Sequence, residues 1–378
     1  MTQGMQTALA TGLPVYALAF ADEGHLFLAG GGGPGRSGVA NAIKATEIDA
    51  RDGALAVRTA GELKLNAHED APMCLAVHPE TRSLVCGINA APDAVRSGDN
   101  AHVRLFGYAL QRSASARADV AEGQSASHVM VQPVAFATCL GFNDPEHYQK
   151  IAQFSPDGGL LAVGSTDGRL QLLRYPSMEP VWSRDVCVCR PGEELYDADF
   201  SQNGTQLACA TSGRVLVLST APKRTGPDGA PVYGERILQT IDNAAIGGTR
   251  LRGTFRAARF GRGSMGRVGT RDVLYTLLNA APAKDRKHRE SFLVAWNADT
   301  WNVVASRRVA QRPATALAVS PNGRLVACGA SDLSICVFQG RSLRSLLTIP
   351  QTHDFPPTCL AFSPRSRAIA SGSADSSR

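Results

Sequence analysis

The sequence predicts an all-β protein, a closed β-propeller of seven blades. Three observations predict this fold: a two-strand unit recurs along the chain, the units contain tight-turn residues, and apolar residues alternate within them. An isolated blade cannot bury both of its faces, so such blades are stable only as a ring. We therefore expect one domain that covers residues 1–378.

The repeated unit is clearest at residues 151–168, IAQFSPDGGLLAVGSTDG. Its first half is an alternating strand that ends in Pro-Asp-Gly, a sequence typical of a tight hairpin turn. Its second half is a strand rich in small residues, and a third strand is expected at 169–175. Six further copies, some of them weak, complete the set: 15–48, 74–90, 196–218, 255–296, 314–338 and 358–375.

The repeat resembles the WD repeat, whose period is about 40 to 45 residues. Most of the consensus Gly-His and Trp-Asp pairs are absent; Trp296, for example, is followed by Asn297. Three stretches rich in Ser, Pro, Gly and charged residues lengthen the mean spacing, at about 111–133, 221–252 and 281–289. We expect these stretches to be surface insertions.

The last copy ends the sequence at 376–378, where a third strand is expected to begin. The seventh blade is therefore expected to be incomplete. Residues 5–11 are a candidate for its closing outer strand.

Composition argues against several functional classes. The net charge is +6, but the basic residues are scattered singly among acidic ones and aromatic residues make up only 6%, which argues against nucleic-acid binding. The sequence contains no run of about 18 apolar residues that would predict a membrane span. Its first residues do not resemble a secretory signal. The nine cysteines are irregularly spaced and are expected to be free thiols in a reducing compartment.

Residue patterns do not predict covalent catalysis. His68, Asp70 and His353 precede first strands and are expected to be structural, as are the turn residues Asp167 and Asp332. The charged run at 284–289 is typical of a solvated loop tip. No catalytic triad, paired carboxylates or metal-ligand spacing is present, so we expect no enzyme and no bound organic cofactor.

The most distinctive segment is 30–41, GGGGPGRSGVAN, between two strands of the first copy. It contains Gly-x-Gly-x-x-Gly at Gly33, Gly35 and Gly38, but dinucleotide binding requires a helix after the last glycine, and a strand is expected instead. A phosphate-binding P-loop is excluded because no Gly-Lys-Ser/Thr follows. A flexible hairpin without a task remains an alternative, although four glycines are entropically costly to order. Inward-facing carbonyls of such a loop are able to coordinate K⁺.

This segment resembles the potassium-binding loop of the endoplasmic-reticulum exchange factors that start COPII coat assembly, the family of the prolactin regulatory element-binding protein. Gly30–Gly33, Gly38, Val39 and Asn41 carry the resemblance. Residues 16–20 and 255–261 fit the same family.

The resemblance implies a guanine-nucleotide exchange factor that binds a Sar-type small GTPase and promotes GDP release at the cytosolic face of the endoplasmic reticulum. It implies that Asn41 is the polar contact and Val39 the apolar wedge against the GTPase. It also implies that the carbonyls of Gly30, Gly31, Gly32, Gly33 and Gly38 hold a structural K⁺. Membrane attachment is expected through a C-terminal anchor absent from this sequence, and the protein is expected to be a monomer. A non-catalytic WD scaffold for protein–protein interaction remains the alternative.

Overall fold

The structure is a computed structural model. It describes residues 5–35, 38–51, 54–112, 127–225, 231–234, 236–242, 244–246, 249–261, 272–281 and 289–375. The described residues are organised almost entirely as antiparallel β-strands, which confirms the predicted all-β class.

The strands occur in chain order as successive sheets. The first sheet contains β1 (Val15–Phe20), β2 (His25–Gly30), β3 (Ala42–Arg51) and β4 (Ala54–Lys64). The second contains β5 (Cys74–Val77), β6 (Ser83–Gly87), β7 (Val103–Arg112) and β8 (Ser127–Ala137), with a short helix α1 (Pro92–Ser97) between β6 and β7. The third contains β9 (Gln149–Phe154), β10 (Leu160–Ser165), β11 (Arg169–Arg174) and β12 (Val186–Cys187).

The remaining strands follow the same plan with two added hairpins. The fourth sheet contains β13 (Leu195–Phe200), β14 (Gln206–Thr211), β15 (Val215–Ser219) and β18 (Ile237–Ile241); the hairpins are β16 (Arg224–Thr225) with β17 (Pro231–Val232) and β19 (Ala244–Ile246) with β20 (Thr249–Leu251). The fifth contains β21 (Gly253–Phe260), β22 (Val273–Ala280), β23 (Ser291–Asn297) and β24 (Val303–Ala310). The sixth contains β25 (Ala314–Val319), β26 (Leu325–Ala330), β27 (Ile335–Gln339) and β28 (Ser345–Ile349), and the last pair is β29 (Pro357–Phe362) with β30 (Ile369–Ser373).

The sheets form a propeller around a central channel. Their first strands contact one another in the order β1, β5, β9, β13, β21, β25 and β29, and β29 returns to β1. Six sheets are complete four-stranded blades, whereas the last repeat forms only the pair β29–β30. The described residues therefore correct the expected count of seven blades to six complete ones.

Local hydrogen bonds explain why the Pro-Asp-Gly sequences form hairpins. Asp157 accepts hydrogen bonds from the Ser155 hydroxyl and the Gly159 amide, and Gly158 adopts φ 72°, a value that favours glycine. Ser320 and Asn322 form the same contact in the Pro-Asn-Gly turn of the sixth blade. These turns lie where the sequence predicts them.

The hydrophobic core lies between adjacent blades. Small residues of β14, such as Ala208 and Ala210, pack in one cluster with Phe255 and Phe260 of the next blade. All four are fully or almost fully buried, and burying a large apolar side chain contributes about 1.5–3 kcal/mol. Alternation within each strand supplies apolar residues to both faces of a blade, and each face is covered only when the neighbouring blade is present.

The ring closes between the last strand pair and the first blade. The Thr358 hydroxyl donates to the Val15 carbonyl at 2.5 Å, and the Ser363 hydroxyl donates to Glu23 at 3.3 Å. Cys359 packs against the apolar cluster around Val15. Residues 5–14 form no strand, so the expectation that 5–11 supply an outer strand is wrong.

Two of the expected insertions contain regular blade strands. Residues 111–112 belong to β7 and 127–133 to β8, and the stretch 221–252 includes β18, the outer strand of the fourth blade. Outer strands were mistaken for loops because their exposed faces lack a strong apolar alternation. Most of the third expected insertion, 282–288, lies outside the described residues. Within the described ranges, no helix has both the length and the apolar character needed to cross a bilayer.

Candidate functional site: the glycine loop and its neighbours

The glycine loop, residues 31–41, connects β2 to β3 at one end of the propeller. Gly30, the last residue of β2, pairs with Val15 at the start of β1 and with Ala42 at the start of β3. The loop therefore emerges from the end of the propeller at which the first strands of the blades begin. We call this end the loop face.

Two of the glycines are required by close backbone approach. A Cβ at Gly30 would lie 1.8 Å from the Pro14 carbonyl oxygen, and one at Gly31 would lie 2.4 Å from Oδ1 of Asn41. Gly31 also adopts φ 144° and donates its amide to the Pro14 carbonyl. The base of the loop is thus packed against the segment that leads into β1.

The loop becomes exposed toward its tip. Gly33 and Gly38 both adopt φ 76°, in the left-handed region, while Pro34 and Gly35 are exposed. A side chain at Gly35 would meet open space. Residues 36–37 lie outside the described residues. The described part of the loop is therefore fixed at its base and presents an accessible tip.

Asn41 faces inward. It is 1% exposed; its Oδ1 accepts the Gly33 amide at 2.9 Å, and its Nδ2 donates to the carbonyls of Gly33 and Glu69, the latter at 2.9 Å. Glu69 is itself held by an ion pair with Arg104 at 2.8 Å. These contacts hold Asn41 in the base of the loop, and its expected contact with a GTPase stays a prediction.

Val39 is half-buried and packs against the apolar cluster that contains Leu13 and Val15. Its neighbours Gly38 and Ala40 are exposed. Val39 is therefore partly accessible beside the loop tip, but it also anchors the return of the loop into β3.

Asp70 lies beside the loop. From the sequence alone we expect this residue to have only a structural role. A Cβ at Gly33 would lie 3.5 Å from Asp70 Oδ1. Burial raises the pKa of the Asp70 carboxyl, and a hydrogen bond from the Ala71 amide offsets that effect in part. Among the described residues no cation pairs with this carboxylate, so the site has a carboxyl oxygen donor beside Gly33.

The strand that the sequence predicts after the glycines is present. The strand β3 begins at Ala42, and the Gly-x-Gly-x-x-Gly sequence is not followed by a helix N-terminus. The geometry on which phosphate binding by this motif depends is absent from these residues.

The other residues singled out in the sequence have local structural partners. His353 Nε2 lies 2.8 Å from the Ser371 hydroxyl oxygen, and Asp375 accepts the Asp354 amide at 2.6 Å. Asp167 and Asp332 accept hydrogen bonds within their turns. The charged run 284–289 lies mostly outside the described residues. Within the described ranges, no group of three or more His, Cys, Asp or Glu residues is arranged to hold a metal ion.

The cysteines are free thiols, as expected. Five are buried: Cys74, Cys86, Cys209, Cys328 and Cys336. Cys187 is exposed. No disulfide framework contributes to the described fold.

Comparison with known proteins identifies the repeat and the relatives of the whole chain. The model of the WD domain, G-beta repeat, matches residues 145–172, 308–339 and 344–377. The chain is 26% identical to SEC12-like protein 2 of Arabidopsis thaliana over 84% of its own length and 66% of that relative's length.

Two further relatives are named as exchange factors. Guanine nucleotide-exchange factor SEC12 of Mus musculus is 24% identical over 90% of this chain and 79% of its own length. Putative guanine nucleotide-exchange factor SED4 of Candida glabrata is 25% identical over 56% of this chain and 18% of its own length. The chain is therefore a β-propeller in which three segments match the WD repeat, and over most of its length it is similar to SEC12-type guanine nucleotide-exchange factors.

Proposed function

We propose that this protein is a guanine-nucleotide exchange factor that promotes GDP release from a Sar-type small GTPase and so starts COPII coat assembly. The observation that carries the proposal is the similarity, over 90% of the chain, to a protein named as a guanine nucleotide-exchange factor. The glycine loop supports it, because a loop fixed at its base with an exposed tip is suited to enter a partner's site.

The activity requires differential binding and no covalent chemistry. An exchange factor accelerates GDP release when it binds the nucleotide-free GTPase more tightly than the GDP-bound form. Each tenfold preference requires about 1.4 kcal/mol. A loop that is already ordered loses less conformational freedom on binding, so more of its contact energy is available for that preference.

Within the loop we propose two kinds of role, contact with the GTPase and positioning of the loop. We propose that the exposed tip around Pro34 and Gly35, with the accessible part of Val39, contacts the GTPase. Asn41 is a positioning residue, because its amide connects Gly33 to Glu69 across the base of the loop. The inward direction of Asn41 is the feature of the site that the resemblance alone did not provide.

We also propose that the loop holds a structural K⁺. The carbonyls of Gly31, Gly32, Gly33 and Gly38 are the candidate ligands, and Gly30 is less available because it lies within β2. The carboxylate of Asp70 fits this donor set, since hard cations prefer oxygen ligands and its own charge lacks a cationic partner in the described structure. When bound, the ion would stiffen the loop and would offset the buried charge of Asp70.

The cellular setting follows from the same proposal. We propose that the protein acts as a monomer at the cytosolic face of the endoplasmic reticulum, attached through a C-terminal anchor. We further propose that β29 and β30 are the inner half of a seventh blade, because β29 contacts both β25 and β1 in the ring.

The direct test is nucleotide release from a purified Sar-type GTPase loaded with fluorescent GDP. We expect the chain to accelerate release by at least about tenfold over the intrinsic rate, and to leave a Ras-type GTPase unaffected. Replacing the exposed Pro34 by Asp should weaken the effect, whereas Lys64→Met, an exposed change on β4, should not. Binding without accelerated release would favour the scaffold alternative and would contradict the exchange activity.

A further inference from the structure

The mouth of the central channel on the loop face carries a ring of side chains turned inward by β-bulges. In six of the described first strands, one residue is left unpaired with the second strand: Tyr16, Lys150, Tyr196, Arg256, Thr315 and Thr358. All six line the channel cavity, whose volume is about 980 Å³. Bulges often re-aim a side chain next to a binding site. We call these six residues the bulge ring.

Lys150 lines the channel cavity. Within the described structure its ammonium group makes no hydrogen bond and no ion pair; it lies over the ring of Tyr148, 6.0 Å from the ring centroid. Burial lowers the pKa of Lys150 and the positive charge of Arg256 lowers it further, whereas the negative charge of Asp197 opposes both effects. A buried cation without a counter-charge is destabilising unless a ligand provides one.

Arg256 is the second cation of the bulge ring. Its guanidinium stacks on the ring of Tyr196 at 4.8 Å, and its Nε donates to the Thr315 carbonyl at 3.1 Å. No described carboxylate pairs with it, and its two terminal amino groups make no hydrogen bond within the described structure. The aromatic ring and the carbonyl therefore hold the guanidinium in place while its terminal N–H groups remain available.

The carboxylates deeper in the channel only partly neutralise this pair. Asp197 forms an ion pair with Arg259 at 2.7 Å and accepts the Ala258 amide. Asp199 accepts the Phe260 amide at 2.9 Å. Both side chains thus connect the fourth blade to β21, and the charge of Arg259 offsets that of Asp197. Asp197 also attracts Lys150 and Arg256, but the three cations Lys150, Arg256 and Arg259 outnumber the two carboxylates, so a net positive charge remains.

We propose that the bulge ring binds a small phosphate-type anion between Lys150 and Arg256. Guanidinium groups match the oxygens of phosphate through paired N–H donors, and an ammonium adds a point charge. Lys150 lines the channel cavity together with Cys74 of β5 and Cys359 of β29, which places the site inside the lumen and not on the outer rim. A small free molecule reaches such a position more readily than a flat protein surface does. The site is separate from the glycine loop, although both lie on the loop face.

The test is calorimetric titration of the purified chain with sodium pyrophosphate at fixed ionic strength. We expect saturable binding to the unmodified chain, and an affinity at least about tenfold lower for Lys150→Met. Arg256→Lys, which keeps the charge but loses the paired donors, should also bind more weakly. Lys64→Met removes an exposed cation from β4 and should bind like the unmodified chain.

Stability without ligand provides a second measurement. Because Lys150 is largely buried and forms no ion pair within the described structure, Lys150→Met should unfold at the same temperature as the unmodified chain or at a higher one. If it fails to fold, Lys150→Gln carries the same binding expectation. The proposal is overturned if pyrophosphate does not bind, if the Lys150 variants bind unchanged, or if Lys64→Met weakens binding equally. It is also overturned if the Lys150 and Arg256 variants bind pyrophosphate normally and bind only an acidic protein partner more weakly.

Discussion

The side-chain oxygen of Asn41 accepts a hydrogen bond from the Gly33 amide at 2.9 Å, across the base of the glycine loop. The same side chain donates to the Glu69 carbonyl, on the segment that leads to the second blade. One buried amide thus connects the start of β3, the middle of the loop and a neighbouring blade. The loop is held by a contact that removes Asn41 from the surface.

Replacing Asn41 by Ala should loosen the loop. The change leaves the Gly33 amide without its acceptor, and we expect a loss of about 1–3 kcal/mol of unfolding free energy. Hydrogen exchange at the Gly33 amide should accelerate while amides of the sixth blade stay protected. The catalysis of GDP release from the GTPase should fall as well. Unchanged protection at Gly33 would show that this side chain does not position the loop.

A methyl group at Gly31 should disrupt the packing at the base of the glycine loop. Its Cβ would lie 2.4 Å from Asn41 Oδ1, and φ 144° is unfavourable for alanine. We expect Gly31→Ala to lower the unfolding free energy by about 1–3 kcal/mol in urea titrations. Gly35→Ala is the matched control, since its Cβ meets open space. Equal stability of the two variants would contradict the close packing described for Gly31.

Potassium should stabilise the protein more strongly as pH rises through the raised pKa of Asp70. Without a cation, this raised pKa means that the contribution of Asp70 to stability is lost as its carboxyl ionises. Bound K⁺ should reverse the effect, because it favours the carboxylate. At ten times the dissociation constant, K⁺ should add about 1.4 kcal/mol relative to Na⁺.

The measurement is the difference in unfolding temperature between KCl and NaCl across pH 4 to 7. Asp70→Asn keeps a similar shape and should remove the rise with pH. A difference that is absent at every pH, or that survives in Asp70→Asn, would rule out Asp70 as a ligand. This readout does not require the GTPase.

Asp197 should make stability fall as pH rises. Burial raises its pKa to about 6, although the nearby Arg259 opposes that shift. The folded state therefore binds more protons than the unfolded chain between about pH 4 and pH 6, and the associated stability, on the order of 2 kcal/mol, is lost across that window. Urea unfolding at pH 4.5 and pH 7 should show a smaller decrease for Asp197→Asn than for the unmodified chain. Identical decreases in unfolding free energy for the two proteins would mean that another titrating group dominates the pH dependence.

The repeat and its turns were predictable because their signals are local. The hydrogen bonds of Ser155 and Asp157 span only a few residues, and the alternation of each inner strand is visible in the sequence. Outer strands such as β18 were missed, because the exposed faces of Ile237 and Leu238 do not distinguish a strand from a loop. The glycine loop was located correctly for the same local reason, since four consecutive glycines stand out in any context.

The sequence by itself determined the ring of blades, the position of the loop and the strand that follows it. Only the tertiary structure decided that Asn41 turns inward to Glu69, that Asp70 lies beside Gly33, and that Lys150 and Arg256 meet at one channel mouth. The physical reason is distance along the chain. Turn dihedrals and strand alternation depend on neighbouring residues, whereas the charges that meet at a channel mouth come from separate blades and converge only when the ring closes.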